Sequence, residues 1–245
     1  MREKVAGKYR LRMAQTAADV TAAQTLRHRA FRGGADGAGL DADPYDALCD
    51  HILIETQEAG ELVACFRLMC LPDGASLQTS YSAQFYDLSP LSDFDGPMVE
   101  MGRFCLAPEV HDPDILRLAW GALTAYVDEI GVKLLFGCSS FRGTDALPYH
   151  DAFALLRDRH IAPAKWRPQI KSSHVFPFAA KLRRKPDLKR AMATLPPLLR
   201  SYLMLGGWVS DHAVIDQDLN TLHVFTGLEI AAVPPARARL LRLAR

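Results

Sequence analysis

The chain has 245 residues, of which 49% are hydrophobic and 23% are charged, and its formal net charge is +1. This composition is typical of a packed globular protein, and a net charge near zero argues against nucleic acid as a partner. No apolar run approaches the roughly 18 residues that span a bilayer. The basic N-terminus is not followed by an apolar h-region, so we expect no signal peptide.

The cysteines indicate the redox compartment. Their number is odd and no two of them form a C-x-x-C pair. We therefore expect reduced thiols in a cytoplasmic protein, with neither a disulfide framework nor a metal site. The five are Cys49, Cys65, Cys70, Cys105 and Cys138.

The first predicted elements are a strand and a helix. Alternation of apolar residues predicts a short strand over 8–13. Thr16 or Asp19 can cap a helix that runs to about Arg32, because short polar side chains satisfy the first free N–H groups of a helix. The glycines of 33–39 then end this helix and begin a flexible loop.

An acid-rich turn leads from this loop into a predicted hairpin. The acids are Asp41, Asp43, Asp46 and Asp50, a run that by itself is typical of a solvated turn. The hairpin has strands over 51–56 and 61–71, and the second strand is apolar except for Arg67. An arginine there needs an anion because its guanidinium cannot deprotonate. The acid turn, Glu100 or a ligand could supply that anion.

The next strand, predicted over 97–106, is apolar at nearly every position yet carries Glu100 and Arg103. Strict alternation would place these two charges on opposite faces. A bulge at Gly102 would let both reach one cleft. The alternative is a buried ion pair that only sets the register of the strand.

The following segment predicts a parallel strand pair. Asp114 can cap a helix to about Ile130, with Gly131 as its C-cap, and a buried strand follows over 133–140. A strand, a helix and a strand in this order favour a right-handed parallel crossover. A further helix is expected from Thr144 or Asp145 to about Arg159. Together these elements predict a mixed α/β (α+β) fold, in which helices lie on both faces of a mixed central sheet.

The chain from 161 onward is expected to complete the sheet of a catalytic core over 1–160. A helix is predicted over 187–194, and a last strand pair over 214–224. The tail over 237–245 is basic and apolar and is expected to fray.

Three charged places therefore lie in or beside an apolar sheet: the acid turn, Arg67, and the pair Glu100 and Arg103. Aspartates could hold an ammonium group and an arginine a carboxylate, while Glu100 could act as general base on an attacking amine. This reading requires Arg67 and Glu100 to converge on one pocket.

Five motifs in order resemble one protein family. They are Leu26–Phe31, Asp43-x-x-Asp46 running into His51, Phe66–Leu68, Glu100–Cys105 and Leu135–Phe141. Together they resemble the bacterial ornithine-acyl carrier protein N-acyltransferases. That family belongs to the GNAT-like acyltransferases and is similar to the acyl-homoserine lactone synthases. The resemblance covers roughly residues 26–156.

The resemblance implies a GNAT-like acyltransferase fold and a defined reaction. A 3-hydroxyacyl chain would pass from acyl carrier protein to the α-amino group of ornithine, giving lyso-ornithine lipid. Glu100 and Arg103 would be catalytic, and His51 is the other candidate base. Backbone N–H groups of the strand over 97–106 would bind the thioester oxygen. The substrate-binding residues would be Asp43, Asp46, Arg67, Ser139 and Ser140.

One departure from typical GNAT enzymes concerns the donor. Those enzymes cradle the pyrophosphate of coenzyme A in a glycine-rich turn that opens a helix. Here the segment over 107–114 lacks glycine and carries acids, which repel phosphate at a helix N-terminus. We therefore expect no bound cofactor, and acyl carrier protein as the donor through its phosphopantetheine.

Two basic regions predict interaction surfaces. An acidic carrier protein needs a basic face to dock, although the same residues would also suit a solvated surface. The amphipathic segment over 181–208 suits an anionic membrane, which places the protein peripherally on the inner face of the cytoplasmic membrane. The candidates for carrier docking are Arg142, Arg157, Arg159, Lys165, Arg167 and Lys171.

Two other functions are consistent with the sequence. The same scaffold could transfer the acyl chain to a different amino acid or to S-adenosylmethionine. A non-catalytic membrane-binding module is the second alternative, and it predicts that Glu100→Ala leaves function intact.

Overall fold

The computed structural model describes residues 1–33 and 39–243, so most of the predicted glycine-rich loop lies outside the described residues. The chain forms two compact units. Unit one comprises Met1–Cys70, Met101–Val132 and Pro235–Arg245, and unit two comprises Leu71–Glu100 and Lys133–Pro234. The boundary expected at residue 160 falls inside unit two.

The described elements are twelve strands and seven α-helices, joined in several places by single turns of 3-10 helix. The strands are β1 (Lys4–Ala6), β2 (Tyr9–Met13), β3 (Asp50–Thr56), β4 (Leu62–Leu71), β5 (Tyr86–Asp87), β6 (Met98–Leu106), β7 (Leu134–Arg142), β8 (Gln169–Ile170), β9 (Val175–Phe176), β10 (Trp208–Val209), β11 (Ala213–Asp216) and β12 (Thr221–Glu229). The helices are α1 (Ala17–Arg32), α2 (Pro113–Ile130), α3 (His150–Arg159), α4 (Phe178–Lys181), α5 (Leu188–Thr194), α6 (Pro197–Met204) and α7 (Pro235–Leu243).

Unit one is built on antiparallel strands. Strand β2 pairs with β1 and β3, and β3 pairs with β4 as the predicted hairpin. The end of β6 lies beside β4, where the Ala107 N–H donates to the Val63 carbonyl at 2.8 Å. Helix α1 packs its Ala23 and Leu26 against β3, β4 and β6, which forms a small apolar core. The predicted cap of α1 is confirmed, since Thr16 and Asp19 form a capping box.

Helix α2 begins two residues earlier than predicted. Its N-cap is Asp112, whose carboxylate accepts the Asp114 N–H, and Pro113 is the first helical residue. Proline suits that position because its missing N–H would have no helical partner there. Gly131 ends the helix at φ 70°, a left-handed conformation that favours glycine, so the predicted C-cap is confirmed.

Unit two contains a mixed sheet. Strand β6 pairs in parallel with β7 from Met98 to Glu100, and β12 pairs antiparallel with β7 along nine residues. Strand β11 then joins β12, and β9 joins β11. The parallel pair and the final strand pair were both predicted, and the predicted mixed α/β class is confirmed.

Two further predictions about local structure were wrong, and several short strands were not predicted. Helix α3 begins at His150, because the segment Leu147–Tyr149, which contains Pro148, forms a 3-10 turn instead. The tail expected to fray forms α7 up to Leu243, while 244–245 lie outside the described residues. Strands β1, β5 and β8 were not predicted, since two or three residues are too few to show a period. Among the described helices, none has the length and hydropathy to cross a membrane.

Candidate active site

The acid turn of unit one is an ordered structure and not a solvated loop. Asp43 caps a 3-10 turn over Pro44–Leu48, where its carboxylate accepts the Tyr45 N–H at 2.9 Å. Asp46 completes a capping box by accepting the Asp43 N–H at 3.3 Å. Asn and Asp side chains favour such turns because they can satisfy nearby backbone donors. The reading as a solvated turn was therefore wrong.

Arg67 finds its anion in this turn, one of the three partners expected for it. Its Nη1 and Nη2 atoms lie 2.6 and 2.8 Å from the two Asp43 oxygens, and Nη1 also lies 2.6 Å from Asp46 Oδ1. Only 2% of Arg67 is exposed. The two-pronged pair with Asp43 matches the fork of the guanidinium to the carboxylate.

Arg27 is a member of this cluster that the sequence analysis missed. It is 1% exposed, and its Nε lies 3.0 Å from Asp41 Oδ2. Its Nη1 and Nη2 lie 2.8 and 2.9 Å from the two Asp46 oxygens. A signal was available, because Arg27 follows Ala23 by one helical turn on the buried stripe of α1.

Arg103 also joins the cluster, from an irregular point in β6. Its Nε lies 2.9 Å from Asp41 Oδ2 and its Nη2 lies 3.1 Å from Asp43 Oδ2. The φ angle of Arg103 is 55°, in the left-handed region that side chains rarely adopt. The irregularity predicted at Gly102 thus falls on the next residue.

His51 holds the turn from β3. Its Nε2 lies 3.0 Å from the Asp46 carbonyl oxygen, and the ring is 5% exposed. A carbonyl oxygen can only accept, so Nε2 carries the proton. This donor role is structural, and it leaves the assignment of His51 as a base without support from the geometry.

We call these side chains the charge cluster: Arg27, Asp41, Asp43, Asp46, Arg67 and Arg103. Burial by itself would raise the pKa of the Asp43 and Asp46 carboxyls, but hydrogen bonds and charge from Arg67 and Arg27 outweigh it. The pKa of each carboxyl therefore lies below its ordinary value. The most exposed of the three aspartates is Asp43, whose side chain is 18% exposed.

Unit two holds Glu100 in a different environment. Glu100 is 4% exposed, and its Oε2 accepts the Tyr81 N–H at 2.8 Å. Its Oε1 accepts both the N–H of Ser82 at 2.8 Å and the hydroxyl of Ser82 at 2.5 Å. Three neutral donors therefore stabilise this carboxylate. Burial and the negative charge of Glu100 together raise the pKa of Tyr202 on α6.

The two serines predicted to bind substrate point to opposite faces of β7. Ser139 is 5% exposed, and its hydroxyl accepts from the Thr226 hydroxyl at 2.9 Å. Ser140 is exposed and shares its face with Cys138, because successive side chains alternate along a regular strand. Cys138 contacts the Ser82 hydroxyl at 3.4 Å. Ser140, and not Ser139, therefore shares the face of β7 that contacts the Ser82 turn.

Arg67 and Glu100 belong to different units. Their convergence on one pocket stays a prediction, as do the roles assigned to the residues around them. Among the side chains of the described ranges, no group of three His, Cys, Asp or Glu is placed to hold a metal ion.

The predicted docking residues of unit two divide into two sets. Arg157 donates to the carbonyl oxygens of Leu182 and Arg184 at 2.5 and 3.0 Å, and Arg167 donates to that of Ala162 at 3.3 Å. These two arginines hold local structure. Lys171 donates to the Ala83 carbonyl at 2.6 Å. The exposed candidates are Arg142, Arg159, Lys165 and Lys171.

The N-terminus of α2 carries its own acid. Asp112 accepts the Asp114 N–H at 2.9 Å, and it also receives Lys8 Nζ at 3.0 Å and the Tyr9 hydroxyl at 3.0 Å. The backbone hydrogen bond from Asp114, followed by Lys8, holds the pKa of Asp112 below its ordinary value. A carboxylate thus occupies the helix end that could otherwise bind a phosphate.

Comparisons with known proteins define the class. Residues 26–121 match the family model described as an acetyltransferase (GNAT) domain. The solved structure of FeeM, an N-acyl amino acid synthase from uncultured soil microbes, matches with a TM-score of 0.50 at 11% identity, covering 94% of this chain and 93% of that one. At this identity the likeness shows the fold alone. The chain is an acyltransferase with a GNAT-type domain.

Relatives of higher identity define the family. The chain is 31% identical to the L-ornithine N(alpha)-acyltransferase of Rhodobacter capsulatus, covering 92% of this chain and 91% of that protein. It is 32% identical to the L-ornithine N(alpha)-acyltransferase of Rhizobium meliloti, covering 91% of this chain and 80% of that protein. The chain therefore belongs to the L-ornithine N(alpha)-acyltransferase family, as the five motifs indicated.

Proposed function

We propose that this protein transfers a 3-hydroxyacyl chain from acyl carrier protein to the α-amino group of ornithine, giving lyso-ornithine lipid. The observation that carries this proposal is the 31% identity to an L-ornithine N(alpha)-acyltransferase over 92% of the chain. The reaction is the first step of ornithine lipid synthesis.

Glu100 is the general base in this proposal. The α-amine attacks the thioester carbon, an amide C–N bond forms, and the C–S bond breaks. Glu100 receives the amine proton through a water molecule, and the departing pantetheine thiolate takes up that proton, which leaves Glu100 ionised again. A carboxylate held by Tyr81 and Ser82 is fixed in position for this task. The N–H groups of β6 would bind the thioester oxygen.

The charge cluster holds the acceptor in this proposal. The members of the cluster already pair with one another, so ornithine would bind without breaking these pairs. It would contact the most exposed aspartate, Asp43, which stays paired with Arg67. The side-chain ammonium of ornithine is a charge-assisted partner for that carboxylate, and Arg103 is a partner for the ornithine carboxylate. Asp46 and Arg67 would act by holding Asp43 in place.

The donor is acyl carrier protein, and no coenzyme A site is required. Support comes from Asp112, whose carboxylate occupies the N-terminus of α2 and opposes a pyrophosphate there. Arg142, Arg159 and Lys165 provide exposed positive charge for docking an acidic carrier protein.

The basic segment of unit two is the proposed membrane contact. Exposed cations surround α5, which also exposes Leu188 and Met192 at 47% and 43%, spaced one helical turn apart. Apolar side chains among cations suit the headgroup layer of an anionic membrane. Because the product is a lipid, we expect the protein to release it at this contact, on the inner face of the cytoplasmic membrane. The cations are Lys181, Arg183, Arg184, Lys185, Lys189 and Arg190.

The decisive experiment offers the purified protein two donors and several acceptors, with product detection by mass spectrometry. We expect an amide from ornithine and 3-hydroxyacyl carrier protein, and little product from 3-hydroxyacyl coenzyme A. If product forms with another amino acid or with S-adenosylmethionine and not with ornithine, that compound is the acceptor instead of ornithine. No product from any pair would reject the enzymatic proposal and favour a membrane-binding module.

Two triple variants separate the two basic surfaces. Changing Lys185, Lys189 and Arg190 to Glu should abolish binding to anionic phosphatidylglycerol vesicles while leaving turnover with soluble carrier protein. Changing Arg142, Arg159 and Lys165 to Glu should raise KM for the carrier protein and leave vesicle binding unchanged. Loss of both properties in either variant would show that the surfaces are not separate.

A further inference from the structure

The carboxylate of Glu100 is bound by a turn that lies 18 residues earlier in the chain. This turn is the short 3-10 segment Ser82–Gln84, and Ser82 is fully buried in it. Ser82 gives Glu100 both a backbone and a side-chain donor. No sequence motif indicated this pairing.

The direction of the hydrogen bonds follows from counting protons. An ionised carboxylate can only accept, so the single hydroxyl proton of Ser82 lies on the 2.5 Å contact to Glu100 Oε1. The hydroxyl oxygen can then only accept from Cys138, whose Sγ lies 3.4 Å away. A directed chain runs from the Cys138 thiol through the Ser82 hydroxyl to the Glu100 carboxylate. Such chains strengthen each member by polarisation.

The turn itself is anchored without the help of Glu100. The Ser80 hydroxyl donates to the Leu77 carbonyl at 2.7 Å and accepts the Ala83 N–H at 3.3 Å. Lys171 donates to the Ala83 carbonyl at 2.6 Å. Because these contacts fix the backbone, removal of the Ser82 hydroxyl should leave the two N–H donors to Glu100 in place.

We propose that Ser82 is a positioning residue for the acyl transfer, which fixes and keeps ionised the Glu100 carboxylate that receives the amine proton; this inference rests on the proposed function of Glu100. A hydrogen bond to a charged group contributes more than one between neutral groups. Cys138 on β7 contacts the Ser82 hydroxyl, and burial together with the negative charge of Glu100 raises the pKa of Tyr202 on α6, which therefore stays a neutral phenol. The side chain of Ser82 therefore supplies a stabilising contact that backbone donors alone do not provide.

The test is the pH dependence of the Ser82→Ala enzyme. We expect kcat to fall roughly tenfold with little change in KM for ornithine, in line with the loss of one hydrogen bond to a charged group. The lost hydroxyl stabilised the ionised carboxylate, so Glu100 becomes easier to protonate. The acid limb of the kcat profile should therefore move to higher pH.

Ser80→Ala is the matched control. Ser80 is an equally buried serine two residues before Ser82, and it bonds to Leu77 and Ala83 and not to Glu100 in the hydrogen bonds above. We expect Ser80→Ala to lower the melting temperature without moving the acid limb. An equal shift in both variants would show that Ser82 is merely structural and would overturn the proposal.

The Glu100→Gln background separates this proposal from the proposed function. If Ser82 acts through Glu100, Ser82→Ala should add no further loss of kcat in Glu100→Gln. If Glu100→Gln is inactive and Ser82→Ala has the wild-type kcat and pH profile, the role of Ser82 is rejected and that of Glu100 is kept. A fully active Glu100→Gln enzyme would reject Glu100 as base, and the role of Ser82 with it.

Discussion

The charge cluster of unit one and Glu100 of unit two are buried charges that the protein stabilises in different ways. Unit one buries arginines and aspartates as a mutually paired network in which Arg27 is 1% and Asp41 is 3% exposed. Unit two buries the carboxylate of Glu100 against neutral donors from Tyr81 and Ser82. Opposite charges in contact neutralise each other, whereas neutral donors stabilise a carboxylate and leave its charge in place. The charge cluster is thus suited to hold structure, whereas the Glu100 carboxylate accepts hydrogen bonds from neutral groups.

Histidine sharpens the contrast. His223 on β12 is 2% exposed, and burial followed by nearby His212 lowers its pKa to about 3. His223 Nδ1 lies 3.1 Å from the Tyr86 hydroxyl. At neutral pH, unit two therefore contains a buried neutral imidazole, whereas unit one contains buried ionised carboxylates. The two units should respond differently to acid.

The largest expected effect is on stability in unit one. Arg27→Met leaves Asp41 and Asp46 without their most buried partner, so we expect the free energy of unfolding to fall by about 3–5 kcal/mol. Urea unfolding followed by circular dichroism measures this. Arg29→Met is the matched control on the same helix, because its pair with Glu109 is exposed to solvent and should contribute little to stability. Equal losses in both variants would contradict the contrast between buried and exposed pairs.

The next effect is on activity in unit two. Glu100→Gln should lower kcat by roughly a hundredfold or more, in line with the contribution of a general base. Its melting temperature should fall as well, because the amide NH2 of Gln replaces one acceptor oxygen and faces the N–H of Tyr81 or Ser82. Asp46→Asn makes the same chemical change in the charge cluster, where it should lower the melting temperature because Arg27 and Arg67 lose an ionic partner. The comparison fails if Glu100→Gln loses stability and keeps its rate.

A smaller effect depends on pH. The folded-state pKa of His223 lies near 3, below the ordinary value, so between about pH 6.5 and 3 the unfolded chain binds a proton that the folded chain does not. Stability should therefore fall by up to about 1.4 kcal/mol per pH unit on acidification through this window. His223→Phe should remove this part of the slope, measured as unfolding free energies at several pH values. An unchanged slope would contradict the assignment.

The carboxylates of the charge cluster act in a lower window. The pKa values of Asp43 and Asp46 are lowered, so their stabilisation is fully present above the ordinary aspartate value of about 4. It is lost only as the pH falls through their folded-state values. Asp46→Asn should thus leave the slope between pH 6.5 and 4.5 intact.

The smallest effect is expected at Gly102. A Cβ atom there would lie 3.7 Å from Arg67 Nε, an ordinary contact, so Gly102→Ala should change the free energy of unfolding by less than about 1 kcal/mol. Arg103→Ala should lower the free energy of unfolding by more, because it removes two hydrogen bonds to the charge cluster. The Cβ of alanine remains at φ 55°, so the change relieves no backbone strain that would offset this loss. A larger loss of stability in Gly102→Ala than in Arg103→Ala would contradict the assignment of the β6 irregularity to Arg103.

The sequence by itself determined the class and most of the regular elements. Periodic apolar residues and capping side chains are local signals, so the hairpin, α1, the C-cap at Gly131 and the parallel pair of β6 and β7 could be predicted. The ordered motifs also indicated the family, because five motifs at compatible spacing are far more specific than any one of them. The charge of Arg67 predicted that it needs an anion.

Only the tertiary structure decided which partners meet. The pairing of Arg67 with Asp43, the entry of Arg27 into the charge cluster and the bond from Ser82 to Glu100 each join residues far apart in the chain. Such pairs depend on distances across strands and turns, which no local period encodes. Short 3-10 turns such as Ser82–Gln84 have no repeating pattern, so their donors become visible only when the chain is folded.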